Sequence, residues 1–191
     1  MPTPPDDPVF FEGPKAFERW LSKNADQADE VWVKFAKKGS GIPSLDWAGA
    51  VEVVLCFGWI DGQMKRIDET WHVQRFTPRR PRSNWSKVNR GKVEKLVAEG
   101  RMRPRGLAEV EKAKADGRWD AAYDGSATAT VPEDLAAALE AAGARAAFEA
   151  FDSRNRFAVL HRIQVPKTAA GRAKRIAALV ELIAAGGKPY P

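Results

Sequence analysis

Apolar residues recur along the chain with two different periods, and the change of period separates a mixed first part from a helical second part. Val31, Val33 and Phe35 alternate with their neighbours, which predicts a strand. Farther along, apolar positions recur at helical spacing, as in residues 169–184. Strands are predicted over residues 9–12, 30–38, 63–67 and 71–76. Helices are predicted over residues 14–23, 45–57, 84–99, 107–116, 132–142, 144–151, 153–163 and 169–184.

This order of elements predicts an α+β fold. A small antiparallel sheet of three or four strands would be packed by helices and followed by an all-helical C-terminal region. We expect a core over residues 1–117, a connector rich in small residues over 118–131, and a helical region over 132–191 that packs on the core.

Local signals mark where these elements begin and end. Asp61-Gly62 is expected to form a tight turn that leads into the predicted hairpin. Ser44 and Ser83 each precede a predicted helix, and serine is a favoured N-cap residue. We therefore expect each serine to cap the helix that follows it.

Two prolines end the last predicted strand. Pro78 and Pro81 have no backbone N–H to donate to a sheet, and they disfavour helix for the preceding residue. Arg79, Arg80 and Arg82 are therefore expected to lie in an extended loop.

Positive charge is concentrated in residues 75–105. This stretch contains eleven Lys and Arg and only two Glu, which gives a local net charge of +9, whereas the whole chain carries only +6. The cations are Arg75, Arg79, Arg80, Arg82, Lys87, Arg90, Lys92, Lys95, Arg101, Arg103 and Arg105. Such a field attracts phosphates, carboxylates or nucleic acid, although a solvated basic face accounts for the same composition.

Composition excludes several classes of protein. A single cysteine, Cys56, allows neither an internal disulfide nor a cysteine-based zinc site. Residues 1–15 lack the basic and apolar segments of a signal peptide, and no apolar run approaches the length of a transmembrane helix. We expect a soluble, cytoplasmic protein, monomeric or weakly dimeric, that uses no cofactor and unfolds independently of reductant.

Catalytic groups are sparse. Asp61 and Asp68 are candidates for a carboxylate pair, although both also suit turns. Ser83 and Ser86 have no histidine nearby, and Cys56 lies in an apolar helix that favours a core role. No catalytic residue is therefore assigned, and whether the protein is an enzyme stays open.

The two histidines give no metal signature. His72 and His161 are far apart, and neither has an acid or a cysteine at ligand spacing. No metal site is predicted.

The interpretation we favour is a pocket for a small anion. Arg75 on the last strand and Arg79 on the loop would converge on the start of the helix that Ser83 caps, where the helix dipole favours negative charge. Asp61 would orient an arginine or bind a ligand hydroxyl. The predicted ligand-binding residues are Trp59, Asp61, Arg75, Arg79, Ser83, Trp85, Ser86 and Asn89, with the tryptophans as walls. In a purely structural alternative, Asp61 pairs with Arg75 or Arg79 and locks the hairpin to the loop.

Two other functions are compatible with the same stretch. Nucleic acid would be bound by the cations of residues 75–105, with Trp71 or Trp85 stacking on a base. An enzyme acting on a phosphorylated or carboxylated small molecule would use the same residues to hold its substrate.

Three runs of residues resemble a known bacterial family. They are CFGWIDG at residues 56–62, RFTPRR at 75–80 and SNWSKVN at 83–89, and together they resemble the YdeI/OmpD-associated family. The likeness extends from about Phe17 to the tail helix with Arg172, Lys174 and Arg175, where Ala170-Gly171-Arg172 replaces the usual Glu-Thr-Arg. The resemblance implies a role in bacterial tolerance of bacteriocins and cationic antimicrobial peptides, without an assigned chemistry.

Overall fold

The computed structural model of the protein describes residues 2–166 and 168–190. Four strands are found within these residues: β1 (Val9–Phe10), β2 (Val31–Ala36), β3 (Trp59–Arg66) and β4 (Trp71–Pro78). Eight helices are found within the same residues: α1 (Pro14–Asn24), α2 (Trp47–Cys56), α3 (Lys87–Ala98), α4 (Pro104–Ala115), α5 (Glu133–Ala141), α6 (Arg145–Glu149), α7 (Ser153–Gln164) and α8 (Ala169–Ala184). The predicted α+β class and the helical C-terminal region are confirmed.

The chain forms two compact units. The first comprises Met1–Ser83 and Asn89–Ala121, and the second comprises Asn84–Val88 and Ala122–Pro191. The first unit holds the sheet and the second holds α5 to α8. None of the helices in the described part of the chain combines the length and the apolar character needed to cross a membrane.

The sheet of the first unit has the strand order β1-β2-β4-β3. β4 is antiparallel to both of its neighbours, as expected for a hairpin that a third strand joins. The two-residue β1 runs parallel to β2 at the edge of the sheet, so one pair departs from the antiparallel pattern.

Asp61-Gly62 lies inside β3, and the prediction of a turn at this dipeptide is wrong. β3 pairs with β4 from Trp59 onward, and its register shifts between Asp61 and Met64, which marks a bulge. The hairpin turns between the two predicted strands, as expected, and Asp68 Oδ1 there accepts hydrogen bonds from the N–H groups of Thr70 and Trp71, at 2.7 and 2.8 Å. Pairing of the strands therefore overrides the local turn preference of Asp-Gly.

Aromatic side chains form much of the core of the first unit. The ring of Phe76 on β4 lies 5.6 Å from that of Phe17 on α1 and 6.3 Å from that of Phe35 on β2, measured between centroids. Trp59 at the start of β3 is fully buried and meets Trp20 edge to face at 6.4 Å. Burial of such large rings contributes strongly to stability.

The end of α2 and the start of α4 pack backbone against backbone. A Cβ added to Gly106 would lie 2.8 Å from the carbonyl carbon of Cys56 and 2.9 Å from the Leu55 oxygen. Gly58, which follows α2, has φ +70°, and a Cβ there would lie 3.1 Å from the Arg105 oxygen. Both glycines are therefore required at this junction, which we call the α2–α4 junction.

Two predicted helix caps are wrong. α2 is capped by Asp46, which accepts a hydrogen bond from the Gly49 N–H at 2.6 Å, while Ser44 Oγ accepts one from Ala36 N–H at 3.3 Å. α3 begins at Lys87 rather than at residue 84, so Ser83 is too far from it to be its N-cap. Both errors arise because several residues before each helix are suitable caps and the sequence does not distinguish between them.

The second unit is a helical cluster, and the bounds of its helices α5 to α8 lie within two residues of those predicted. Its apolar core comprises Leu135, Leu139, Ala144, Phe148, Val159, Leu160, Ile163, Ile176, Leu179, Val180 and Ile183. Arg172 on α8 bonds both carboxylate oxygens of Asp134 on α5, at 2.7 and 2.9 Å, and the Ile163 oxygen on α7 at 2.7 Å. One guanidinium thus joins three helices, and its charge holds the pKa of Asp134 below its ordinary value.

Gly106→Ala is predicted to destabilise the first unit by about 1–3 kcal/mol, because the added methyl group collides with backbone that cannot move independently. Gly91→Ala is the matched control, since Gly91 lies in α3 with nothing within 4 Å of an added Cβ. The control should be neutral or stabilising by about 0.5–1 kcal/mol, as alanine favours helix. Denaturant unfolding measures both, and equal stability of the two variants would contradict the packing described for the junction.

Candidate anion-binding site

The loop after β4 is held at both ends. The Arg79 N–H donates a hydrogen bond to the Gly58 oxygen at the α2–α4 junction, at 3.0 Å. A turn follows, in which the Ser83 N–H bonds the Arg80 oxygen at 3.1 Å. Arg82 has φ 67° and is the one non-glycine residue with a positive φ in the part of the chain that the structure describes. We call residues 79–83 the arginine loop.

The guanidinium of Arg79 lies inside the first unit. The residue is 6% exposed, and Nη1 donates to Ser83 Oγ at 3.4 Å, a long hydrogen bond. The charge of Arg79 acts on the carboxyl group of half-buried Asp61. Burial raises the pKa of Asp61, and the positive charge of Arg79 opposes that rise. The structure therefore brings Arg79 and Ser83 into contact, and Asp61 lies within range of the charge of Arg79.

A second buried arginine fixes the end of the loop. Arg118 is 7% exposed, and its Nη1 donates to the Ser83 oxygen at 2.8 Å. Its Nε bonds both carboxylate oxygens of Asp116, each at 2.8 Å. Sequence reasoning missed Arg118, because a single cation in a segment that reads as a connector carries no signal of its own.

Arg75 does not join Arg79. Its Nε donates to Glu30 Oε2 at 2.7 Å, and the two side chains form an ion pair. The guanidinium of Arg75 is therefore taken up by an acid of the fold, and the predicted convergence of Arg75 and Arg79 on one ligand is wrong. The partner, Glu30, lies 45 residues earlier in the chain, so no local pattern marks it.

Trp59 is a core residue and not the wall of an open cavity. It is fully buried, and its Nε1 donates to the Ala25 oxygen at 3.3 Å. Its indole ring contacts Trp20 edge to face.

The remaining predicted residues lie around the start of α3. Trp85 and Ser86 are buried residues of the second unit, where this segment pairs with Tyr123 in a short parallel bridge. The Tyr123 N–H bonds the Trp85 oxygen at 3.0 Å, and the Lys87 N–H bonds the Tyr123 oxygen at 2.8 Å. Asn89 is a half-buried residue of α3 and belongs to the first unit.

Ion pairs within the fold, most of them with acids from distant parts of the sequence, neutralise much of the basic stretch. Six of its eleven cations form ion pairs with acids of the described residues: Arg75, Lys87, Lys95, Arg101, Arg103 and Arg105. Arg80 and Arg82 are exposed and form no ion pair with any described residue. The local charge excess of the sequence is thus reduced in the folded protein to a few cations, and two of them lie in the arginine loop.

The candidate catalytic groups do not form a site. Asp61 lies near the start of β3 and Asp68 beyond its end, which separates the carboxylates by roughly 15–20 Å along the strand. Burial raises the pKa of the Cys56 thiol to about 11, so this cysteine is a core residue and not an activated nucleophile.

The histidines are packed against aromatic rings. His72 stacks on Phe35 at 5.3 Å, and His161 meets Tyr123 edge to face at 4.5 Å. Burial lowers the pKa of both imidazoles. Among the described residues, no three His, Cys, Asp or Glu side chains come together as ligands for a metal ion.

Two family models match different parts of the chain. Residues 9–109, just over half of the chain, match the model of a domain of unknown function, DUF8412, and this range contains the three motif runs. Residues 128–186 match the model of the family described as "Bacteriocin-protection, YdeI or OmpD-Associated", which confirms the predicted resemblance for the C-terminal part. No curated protein and no solved structure matches the chain. The chain therefore belongs to the DUF8412 family and carries a C-terminal YdeI/OmpD-associated region.

Proposed function

We propose that the first unit binds a small anion, bearing a phosphate or carboxylate group, at the arginine loop. The observation that carries this proposal is the contrast in charge pairing along residues 75–105. Six cations of the stretch are neutralised within the fold, whereas Arg80 and Arg82 expose guanidinium groups that no acid of the described residues pairs with. A guanidinium forms two parallel hydrogen bonds with a phosphate or carboxylate, which makes these two side chains suitable ligands.

The rigidity of the loop supports the proposal. Pro78 and Pro81 restrict its backbone, and the bonds from Arg79 to Gly58 and from Arg118 to Ser83 fix its two ends. The left-handed conformation of Arg82 is costly for a residue with a side chain, and such strain is concentrated at ligand sites. A loop that is already ordered loses less conformational entropy when it binds a ligand.

Asp61 supports the proposal through the sign of its pKa shift. The cost of burying the carboxylate exceeds the attraction of Arg79, so the pKa is raised and the ionised group lowers the stability of the fold. The presence of a buried carboxylate in spite of this cost favours a role for Asp61 in ligand binding over a purely structural ion pair. In our proposal Asp61 orients Arg79 beneath the loop or accepts a hydrogen bond from a ligand hydroxyl.

We further propose a cellular role in tolerance of bacteriocins or cationic antimicrobial peptides, which the description of the matching C-terminal family supports as far as bacteriocin protection. Deletion of the gene in its bacterium should lower the concentration of such a peptide that stops growth, and the intact gene on a plasmid should restore it. Unchanged growth inhibition in the deletion strain would contradict this role.

Nucleic acid is the alternative occupant of the basic stretch. Binding to it requires several free cations along a strand, and the ion pairs leave few of them available. A gel shift of DNA or RNA at low salt that disappears steeply as the salt concentration rises would favour nucleic acid over a small anion.

The enzyme alternative has its own test. Turnover of an added phosphate ester by the protein would favour it.

Arg80→Gln and Arg82→Gln are each predicted to weaken binding of pyrophosphate about fivefold, or about 1 kcal/mol, because each removes charge-assisted hydrogen bonds at an exposed site. Titration calorimetry measures the affinities. Arg19→Gln is the matched control, since it removes the same charge from an exposed position on α1 in the same unit. Equal pyrophosphate affinity of the double loop variant and the control would remove the arginine loop as the site.

Asp61→Asn is predicted to leave the free energy of unfolding unchanged or raised near neutral pH. Because the folded pKa of Asp61 is raised, its contribution to stability is fully present below its unfolded pKa and lost as pH rises through the folded pKa. The parent should therefore lose stability relative to the variant as pH rises above about 4. Denaturant unfolding over a pH series measures the difference, and a variant that is less stable at neutral pH would make Asp61 a structural counter-ion.

A further inference from the structure

Helix α7 of the second unit has two apolar faces, and only one of them packs into the core. Val159, Leu160 and Ile163 belong to the apolar core of the unit. Phe157 and His161, one turn apart, lie on another face and are only half-buried. This second face lines a cavity of about 660 Å³, which we call the α7 cavity. Its lining comprises Ser126, Ala127, Ser153, Arg154, Phe157, Ala158, His161 and Tyr190.

Hydrogen bonds to two side-chain amides of α7 hold other segments of the unit against this helix. Asn155, a buried residue, accepts a hydrogen bond from the backbone N–H of Tyr190 at 2.8 Å. Gln164 accepts one from the backbone N–H of Asp124 at 2.9 Å. Tyr190 lines the cavity, and Asp124 lies two residues before the lining residue Ser126. The walls are therefore positioned by specific polar contacts and not by apolar packing alone.

The lining combines flat rings with positive charge. The Arg154 guanidinium lies over the Tyr190 ring, 4.4 Å from its centroid, and that of Arg162 lies over the same ring at 5.3 Å. His161 contacts the Phe157 ring at 5.8 Å, and both burial and the charge of Arg162 lower its pKa, so the imidazole is neutral near pH 7. The exposed guanidinium of Arg154 forms no ion pair with any described residue, which leaves its charge available.

We propose that the α7 cavity binds a small organic anion that carries an aromatic ring, of the aryl phosphate or aryl carboxylate class. The ring would lie against Phe157 and Tyr190, and the anionic group would meet Arg154, with the Ser126 and Ser153 hydroxyls as further donors. The cavity volume is within the usual range of small-molecule sites, which combine apolar walls with a few polar groups that fix orientation. This site is independent of the arginine loop.

The test uses the full chain and three probes: phenyl phosphate, inorganic phosphate without a ring, and phenol without a charge. The chain has two histidines, His72 and His161. NMR spectra of their side-chain ¹H–¹³C signals therefore show which of the two lies near the bound probe. Phenyl phosphate should shift the signals of His161 and leave those of His72 in the first unit unchanged. The affinities are taken from the shifts of the His161 signals, so that anion binding at the arginine loop is not counted. Inorganic phosphate and phenol should each bind at least about tenfold more weakly than phenyl phosphate, because each lacks one of the two interactions.

Arg154→Gln should weaken the binding of phenyl phosphate, measured by the His161 signals, about tenfold, because it removes the cation and keeps the remaining lining of the cavity. Arg175→Gln is the control, since Arg175 is an exposed residue of α8 outside the lining of the cavity, and it should bind as the parent does. His161 signals that do not move, phenol that binds as tightly as phenyl phosphate, or equal affinity of the two variants would each overturn the proposal. Loss of pyrophosphate binding in the arginine-loop variants leaves it unaffected.

Discussion

The first unit depends on the backbone contact at the α2–α4 junction. Gly106 allows the start of α4 to touch the carbonyl groups that end α2, and Gly58 turns the chain with φ +70° into β3. The Gly58 oxygen then accepts the Arg79 N–H, so the same junction that leads into β3 also fixes the start of the arginine loop. A side chain at either glycine would displace backbone, so neither position accepts a larger residue without a change in the junction.

Electrostatic pairing gives the folded chain a different charge distribution from its sequence. Glu18, Asp26 and Glu52 come from the first third of the chain and pair with Arg103, Arg105 and Arg101. Exposed pairs of this kind contribute little to stability, but they remove charge from the field that an approaching anion meets. A basic stretch in a sequence is therefore a poor measure of a basic surface, and the cations that remain unpaired are the informative ones.

Patterns that repeat over several residues were predictable from the sequence, and single contacts were not. Periodicity located the strand around Val33 and all four helices of the second unit, because burial of one face requires it. The role of Asp61-Gly62 was predicted wrongly, since strand pairing overrode the local turn preference. Arg118 and the Glu30 partner of Arg75 join residues far apart in the chain, and no local pattern marks them.

Anion binding by the first unit requires the arginine loop to be a preformed site for the anion. Crystals grown with tungstate test it directly, because this phosphate-like anion is located by its anomalous scattering without any assumption about the ligand. We predict a tungstate ion within hydrogen-bonding distance of the Arg80 and Arg82 guanidinium groups, with Arg82 still at positive φ. Tungstate bound elsewhere on the first unit, with both loop guanidinium groups in solvent, would contradict the claim.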